Sequence, residues 1–271
     1  EYTVTANTLI CPGNYQMNDT DLDGAINFNA NNVQLDCNEA TIYSNGSGFG
    51  IYANGRSGIV ILNCNVKTYR EGVYFDTVTN GRVSNSNISG HNRDGVLFLD
   101  SNNSEVSNNN ISNNTYHSVL AIDGAGNRVI SNLMSFDTLW AVYYALQSGN
   151  GNIYGNTITN SDSGVWLGQS FNTVVENNLI QSNTLSGVLI EDNSGHTVRG
   201  NTILSNGQNG VQIFGNATLN TIQGNIIRSN GGYGIRILSG VNTIKDNNAS
   251  LNTLAGINAS SSGDAISNNY F

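Results

Sequence analysis

Residues 165–187 read VWLGQSFNTVVENNLIQSNTLSG, and residues 188–210, which follow them, read VLIEDNSGHTVRGNTILSNGQNG. The second stretch repeats the apolar, asparagine and glycine positions of the first. Self-similarity at a fixed period of this length is typical of a solenoid. Units of the same kind begin 23 or 24 residues apart, at Val73, Val96, Val119, Val142, Val165, Val188, Val211 and Ile235. The repeat therefore decides the fold class before any local propensity is considered.

The apolar residues within one unit indicate which kind of solenoid the chain forms. Val188 and Ile190 fall at alternate positions, and two further short apolar runs follow around Val198 and Ile203. Such runs, separated by Gly, Asn and Ser clusters, are typical of short strands joined by turns. No run has the length or period of a helix. Three strands per turn, paired in parallel with the next turn, predict an all-β, right-handed parallel β-helix of about 11 coils of about 22 to 26 residues.

The extent of the repeat predicts the domain organisation. Residues 1–24 are the least regular part, and we interpret them as an N-terminal strand, a cap and the first turn. Residues 25–271 are expected to form one continuous β-helix domain. Asparagine recurs at equivalent corner positions, at Asn132, Asn178 and Asn201. Because asparagine tolerates the left-handed conformation and stacked amides bond to each other, we expect left-handed corners and an asparagine ladder.

The units and three N-terminal stretches resemble a known group of proteins. The stretches are LICPGNYQ at residues 9–16, VQLDCNEATI at 33–42 and IVILNCNV at 59–66. They are similar to the parallel β-helix repeats of secreted carbohydrate-active and surface proteins, including the periplasmic NosD-like group. The resemblance implies the fold and an extracellular or cell-surface location. It implies no catalytic residue, because the shared signature is structural, and the chain lacks the Asp-Pro-His-Asp sequence of alginate epimerases.

The composition limits the partners that the protein can have. The 271 residues carry a formal net charge of −9, only 11% of them are charged, and the lysines are Lys67 and Lys245 alone. A nucleic-acid partner requires a basic surface, so we expect none. No apolar run is long enough to cross a bilayer, so we expect no membrane insertion. A chain that starts at Glu1 without a signal peptide is consistent with a secreted protein in its mature form.

The three cysteines follow strand-like apolar runs near the N-terminal end, at Cys11, Cys37 and Cys64. The alternation from Val33 and Leu35 places Cys37 inward, and we expect all three to stack inside the coil on consecutive turns. Neighbouring turns hold Cα atoms about 4.8 Å apart, within the range that a disulfide bridges. Three thiols allow one bridge and one remaining cysteine, and the pairing stays open.

An acidic stretch near the N-terminus has the spacing of a calcium-binding loop. Asp19, Asp21 and Asp23 alternate and are followed by Gly24. The glutamate that closes such a loop is missing, because Ala30 stands at its position. We interpret the pattern as an acidic turn before the next strand. We therefore expect no cofactor and keep calcium as the alternative.

The first strand of each unit differs from the other two in its outward positions. These positions are mostly polar in the second and third strands, but large and apolar in the first. The apolar set is Leu97, Leu99, Leu120, Ile122, Tyr143, Trp166, Leu189, Phe214 and Leu238. A strip of this size exceeds what a soluble monomer normally exposes, so something must cover it. A second copy, another surface protein, the chain's own loops and a sugar polymer are the candidates.

The preferred interpretation is a non-catalytic secreted or cell-surface protein that acts in assembly or adhesion through this strip. The alternative is a polysaccharide lyase, a glycoside hydrolase or a glycan-binding module along residues 70–170. Its catalytic candidates are Asp94 with His117, at equivalent positions of adjacent units, and Asp100 with Asp123, one turn apart. Aromatic residues suited to stacking on sugar rings are Tyr116, Trp140, Tyr143 and Trp166.

Overall fold

The computed structural model describes all residues, 1–271, as short β-strands joined by turns. The chain forms two compact units, Glu1–Thr138 and Leu139–Phe271. None of the elements is a helix long and apolar enough to span a lipid bilayer. The prediction of a single continuous domain from residue 25 onward stays a prediction.

The first unit contains eighteen strands. In chain order they are β1 Tyr2–Val4, β2 Thr8–Leu9, β3 Asn14–Gln16, β4 Ile26–Phe28, β5 Gln34–Asp36, β6 Thr41–Tyr43, β7 Phe49–Asn54, β8 Val60–Leu62, β9 Asn65–Lys67, β10 Glu71–Asp76, β11 Arg82–Ser84, β12 Asn87–Ser89, β13 Val96–Leu99, β14 Glu105–Ser107, β15 Asn110–Ser112, β16 Val119–Ile122, β17 Arg128–Ile130 and β18 Leu133–Ser135.

The second unit contains sixteen strands. They are β19 Trp140–Ala145, β20 Asn152–Tyr154, β21 Thr157–Thr159, β22 Ser163–Gly168, β23 Val174–Glu176, β24 Leu179–Gln181, β25 Val188–Glu191, β26 Thr197–Arg199, β27 Thr202–Leu204, β28 Val211–Phe214, β29 Thr221–Gln223, β30 Ile226–Arg228, β31 Ile235–Ile237, β32 Thr243–Lys245, β33 Ile257–Ala259 and β34 Ala265–Ser267.

Within each unit the strands form three parallel sheets. Each turn supplies one strand to every sheet, except the last two turns of the second unit, which supply strands to only two of them. Sheet A of the first unit is β1, β4, β7, β10, β13 and β16, and sheet A of the second unit is β19, β22, β25, β28, β31 and β33. The strands that follow them in each turn form sheets B and C. Each unit therefore has six turns, which confirms the predicted parallel β-helix and raises the coil count from about 11 to twelve.

The register confirms the repeat period. Val73 pairs with Val96, which pairs with Val119, and in the second unit Val165 pairs with Val188. Inward side chains of successive turns stack on each other, and the ring centroids of Phe75 and Phe98 lie 5.7 Å apart with 25° between the ring planes. Each turn buries only a few apolar groups, so the stability of a turn depends on its neighbours.

Asparagine ladders stack along the corners, as predicted. In the second unit the backbone N–H and the Nδ2 of Asn178 both donate to Oδ1 of Asn201, at 2.9 and 3.0 Å. The left-handed residue, however, is not the ladder asparagine. It is the residue before it, such as Asn177 with φ 54° and Gly200 with φ 63°. The ladder asparagine turns inward instead, where its amide satisfies buried backbone groups.

The cysteines correct one prediction. Cys37 and Cys64 form a disulfide between consecutive turns, with Cα atoms 4.8 Å apart, whereas Cys11 is free and exposed. The reason is an offset of one residue. Because Leu9 pairs with Asp36, it is Ile10 that stands opposite Cys37, and Ile10 N donates to the carbonyl of Asp36. The expected stack of three inward cysteines is therefore a bridged pair.

Candidate functional site

Two predicted catalytic candidates meet at the edge of sheet A in the first unit. Asp94 lies in the loop before β13, and His117 lies in the loop before β16. Gly95 N donates to the carbonyl of His117, so the two loops stack on successive turns. This places Nδ1 of His117 2.6 Å from Oδ1 of Asp94. Equivalent positions in the repeat thus predicted a contact, while the catalytic role of the pair stays a prediction.

A second buried carboxylate, at Glu71, joins this pair to two arginines. Nε of Arg70 donates to Oε2 of Glu71 at 2.6 Å, and Nη1 of Arg93 lies 3.2 Å from Oε1. Nη2 of Arg93 also lies 3.9 Å from Oδ2 of Asp94. Both acidic side chains have no exposed surface, whereas the arginine side chains are 38% and 40% exposed. The buried carboxylates of Glu71 and Asp94 therefore hold two guanidinium groups at the surface.

Burial controls the protonation of the groups around this network. It raises the pKa of Glu71, against the lowering effect of the hydrogen bond from Arg70 and of the two arginine charges. Burial also raises the pKa of Asp137 to about 7, although Ser118 and Asn114 donate hydrogen bonds to its carboxylate. The neutral form of His91 is favoured, because full burial lowers its pKa to about 4. These interior groups titrate away from their ordinary pH ranges because water does not reach them.

The other two catalytic candidates lie elsewhere. Asp100 and Asp123 directly follow β13 and β16, one turn apart, because Leu99 pairs with Ile122. Both are exposed and adopt left-handed φ angles of 49° and 54°. They stand at the opposite ends of these strands from Asp94 and His117. The two pairs therefore do not form one site, and a catalytic role of Asp100 and Asp123 stays a prediction.

Aromatic rings cover part of the outer face of sheet A in the first unit. The ring centroids of Tyr52 and Tyr74 are 5.1 Å apart, and the ring of Phe49 is 5.4 and 4.9 Å from them. The hydroxyl of Tyr52 donates to Oδ2 of Asp76 at 3.2 Å. Partial burial raises the pKa of Tyr74 to about 12. A further aromatic residue, Tyr116, lies under the guanidinium of Arg93, with 5.6 Å between its ring centroid and Cζ of Arg93.

A polar trough adjoins Tyr52. It has a volume of about 420 Å³ and is lined, apart from this ring, by Thr3, Asp23, Asn27, Phe28, Asn29, Asn54 and Arg56. Nη2 of Arg56 bonds to Oδ1 of Asn29 at 2.5 Å, which holds the guanidinium across the trough. Planar amide, carboxylate and guanidinium groups next to an aromatic ring are the combination that binds the hydroxyls and faces of sugars.

The second unit has its own aromatic cluster on sheet A, made of predicted stacking residues. Trp140 lies 4.8 Å from Tyr143 and 3.8 Å from Trp166 between ring centroids, with the planes tilted by 72° and 76°. All three are partly exposed. A Cβ on Gly168 would lie 2.9 Å from Nε1 of Trp166 and 3.0 Å from Cε2 of Tyr143, so the glycine leaves room for the rings. Glu191 pairs with Gly168 on the next turn.

Two leucines of the predicted apolar strip are covered. Leu97 and Leu120 are paired neighbours, as predicted, but only 7% and 4% exposed. The chain itself covers them, so the expectation that they face solvent is wrong. Further along the strip, Leu238 is 41% exposed. The remaining members are half-buried, namely Leu99, Ile122, Tyr143, Trp166, Leu189 and Phe214. Their proposed role as an interface stays a prediction.

The calcium candidates form an acidic cluster that includes one further residue. Carboxylate oxygens of Glu1, Asp19, Asp21 and Asp23 all lie within 4.8 Å of one another. Asp19 is buried, and its Oδ2 accepts a hydrogen bond from the backbone N–H of Phe49 at 2.7 Å. This carboxylate therefore stabilises the start of β7. The pKa of Asp21 is raised, chiefly through a shared hydrogen bond with Asp23. Calcium binding here stays a prediction.

Sequence reasoning missed Tyr52, Asn54 and the trough, as well as the buried state of Glu71. A signal for Tyr52 is present in the sequence. Tyr52 pairs with Tyr74 and is therefore the preceding member of the same outward column. The repeat is recognisable only from Val73 onward, so the turn that contains Tyr52 was not aligned with the later units. The burial of Glu71 has no such signal, because it depends on loops from the neighbouring turns.

Comparison with known proteins places the fold. The sequence model of a family described as the right handed beta helix region matches residues 24–145 and again 140–271, which confirms the predicted handedness. A search of curated protein sequences finds no match. The A-module of the Azotobacter vinelandii mannuronan C-5 epimerase AlgE6 is similar in structure, with a TM-score of 0.74 and 15% identity over 98% of this chain and 90% of that module.

Two other solved structures are similar at comparable levels. The periplasmic alginate epimerase AlgG has a TM-score of 0.72 and 16% identity, over 85% of this chain and 63% of its own length. The tailspike protein of the E. coli bacteriophage HK620, solved in complex with a pentasaccharide, has a TM-score of 0.69 and 12% identity. The match covers 98% of this chain and 58% of the tailspike chain. At these identities the similarity is one of fold.

Proposed function

The chain belongs to the family of right-handed β-helix regions, and we propose that it is a carbohydrate-binding protein, which holds a polysaccharide against aromatic side chains on the outer face of sheet A. The observation that carries the proposal is the cluster of Trp140, Tyr143 and Trp166. Three large rings packed edge to face on a solvent-facing sheet, with Glu191 on the next turn, combine stacking surfaces with a hydrogen-bond acceptor.

Two further observations support carbohydrate as the ligand. The trough beside Tyr52 supplies a second set of amide and guanidinium groups next to a ring. Among the solved structures of this fold, two are described as epimerases of mannuronan or alginate, and a third holds a pentasaccharide. The disulfide between Cys37 and Cys64 supports an oxidising compartment, in line with a secreted or cell-surface protein.

Catalysis is not part of the proposal. Asp94 and Glu71 have no exposed surface, and the side chain of His117 is 6% exposed. A general acid or base must come within hydrogen-bond reach of the substrate. In the described conformation these groups face the interior and the arginines instead.

Affinity gel electrophoresis tests the proposal with a panel of neutral, uronate-containing and sulfated polysaccharides. We expect at least one polysaccharide to retard the protein, and Trp166→Ala to weaken that binding at least tenfold. The matched control is Tyr154→Ala, which removes an exposed ring from sheet B of the same unit. Retardation by no member of the panel, or equal retardation of the Trp166→Ala variant, overturns the proposal.

Assembly through the apolar strip is the second candidate, and the exposure of Leu238 favours it. Leu238 N donates to the carbonyl of Ile213, so Leu238 follows Phe214 in the outward column. If two copies meet here, Leu238→Lys lowers the solution mass measured by light scattering from that of an oligomer to that of a monomer. A monomeric parent protein removes this candidate.

A further inference from the structure

We propose that Arg70 and Arg93 form a binding site for the anionic substituent of a sugar, a carboxylate or a sulfate ester. The inference deepens the proposed function, because it names the chemical class of polysaccharide. It depends on a different part of the molecule from the aromatic cluster of the second unit, so the two are tested separately.

The arginines stand next to each other on consecutive turns. Arg70 N donates to the carbonyl of Gly48, Arg93 N to that of Arg70, and Tyr116 N to that of Arg93, at 2.8 to 2.9 Å. The four residues therefore form one column along the edge of sheet A. Two like charges directly opposite each other on neighbouring strands are destabilising. The chain has only ten lysines and arginines, so their adjacency calls for a physical explanation.

The buried acids stabilise this arrangement without occupying the outer side of the column. Glu71 forms ion pairs with both arginines and is fully buried, as is Asp94. Aromatic rings support the guanidinium groups, with Phe49 4.8 Å from Arg70 and Tyr116 5.6 Å from Arg93. The side chains of Arg70 and Arg93 stay 38% and 40% exposed, so part of each is open to solvent. Guanidinium groups fixed in this way bind planar anions with little loss of side-chain entropy.

The arginine ion pairs on sheet B are built differently. On sheet B, Arg82 and Arg128 stand on either side of Glu105, which is itself part of the surface, 21% exposed. There positive and negative charges alternate from turn to turn and form ion pairs on the surface of the coil. In the column of Arg70 and Arg93 the acids are inside, and the positive charge alone faces outward. This contrast indicates a site for an anionic ligand.

Nuclear magnetic resonance of the arginine side chains tests the site directly. Sodium glucuronate and sodium sulfate are titrated separately, with glucose as the neutral control. We expect the Nε–Hε signals of Arg70 and Arg93 to shift with at least one of the two anions and not with glucose. A shift with only one anion identifies the substituent as a carboxylate or as a sulfate ester. Unmoved signals with both anions, or equal shifts with glucose, overturn the proposal.

Calorimetry with charged oligosaccharides provides the second measurement. We expect Arg93→Gln to weaken binding of the matching anionic oligosaccharide about tenfold, and Arg128→Gln to leave it unchanged. Because Arg93→Gln leaves Glu71 with fewer partners, the double variant Glu71→Gln with Arg93→Gln removes one positive and one negative charge together, and we expect the same loss. Unchanged affinity in both variants overturns the proposal. If Trp166→Ala abolishes binding while both arginine variants bind normally, carbohydrate binding stands and this inference falls.

Discussion

His196 takes the place of an asparagine in a ladder, and its Nδ1 accepts the backbone N–H of Thr173 at 3.2 Å. Its own N–H donates to Oδ1 of Asn220 at 2.9 Å, and Nε2 bonds to the carbonyl of Ser170 at 2.8 Å. The ring is buried, and this burial lowers its pKa to about 4. An imidazole whose Nδ1 accepts a hydrogen bond must be neutral at that nitrogen, so protonation breaks the ladder.

The first prediction is that His196→Asn reduces the acid sensitivity of the fold. The folded pKa is depressed, so the neutral histidine contributes its stability above about pH 6.5, and this part is lost as the pH falls toward 4. Between pH 7.5 and 4.5 the parent should lose about 2 to 3 kcal/mol that the variant does not lose. Urea unfolding at both pH values measures the difference.

Asparagine is the matched replacement because its Oδ1 can accept the same N–H of Thr173. At pH 7.5 the variant should therefore unfold close to the urea concentration of the parent. An identical pH dependence of the two proteins would show that the ring is protonated without cost in the folded state, against this prediction.

The second prediction concerns Asp137, which takes the place of an asparagine in a ladder of the first unit. Oδ1 of Asp137 accepts the backbone N–H and Nδ2 of Asn114, at 3.1 and 3.0 Å. Burial raises its pKa to about 7, so its contribution to stability is fully present below the unfolded pKa and is lost as the pH rises through 7. We expect Asp137→Asn to be more stable than the parent at pH 8, by about 1 kcal/mol or more.

The same variant should gain little at pH 4.5, because the carboxyl group of the parent is then protonated in the folded protein. Thermal unfolding at the two pH values gives the comparison. A variant that gains equally at both values would assign the effect to shape instead of charge.

The third prediction follows from the corrected cysteine arrangement. In the native, unreduced protein a thiol reagent should label one cysteine per chain rapidly, because Cys11 is exposed and Cys37 is bridged to Cys64. Cys11→Ser should abolish the rapid labelling. Reduction followed by unfolding should expose three thiols in the parent. Slow labelling of every cysteine in the native protein would contradict the exposed position of Cys11 and support the inward stack predicted from the sequence.

The sequence predicted the fold and its register, because the repeat is expressed in residues whose side chains stack. Val96 and Val119 are adjacent in the structure as they are equivalent in the repeat. The contact of Asp94 with His117 was predictable for the same reason. The exposed state of Cys11 depends on a shift of one residue in a turn where the repeat is weak. The burial of Leu120 depends on how side chains and loops of other turns lie over the sheet, which a repeat pattern does not encode.

The last prediction tests the geometry of the aromatic cluster in the second unit. A Cβ at position 168 would lie 2.9 Å from Nε1 of Trp166 and 3.0 Å from Cε2 of Tyr143. These contacts are too short for both rings to stay in place, so Gly168→Ala should displace the rings while the buried strand keeps its register. We expect a shift in tryptophan fluorescence and an affinity for polysaccharide lowered several-fold.

Gly13→Ala is the matched control, because its added Cβ would lie 3.4 Å from the ring of Tyr15, an ordinary van der Waals contact. Residue 13 is also far in sequence from the aromatic cluster. Circular dichroism should show the same strand content in the parent and both variants. Unchanged fluorescence in Gly168→Ala would mean that the rings do not pack over the glycine. A shifted spectrum with unchanged affinity would mean that the rings do pack there but do not hold the sugar, and the ligand would then lie elsewhere on sheet A.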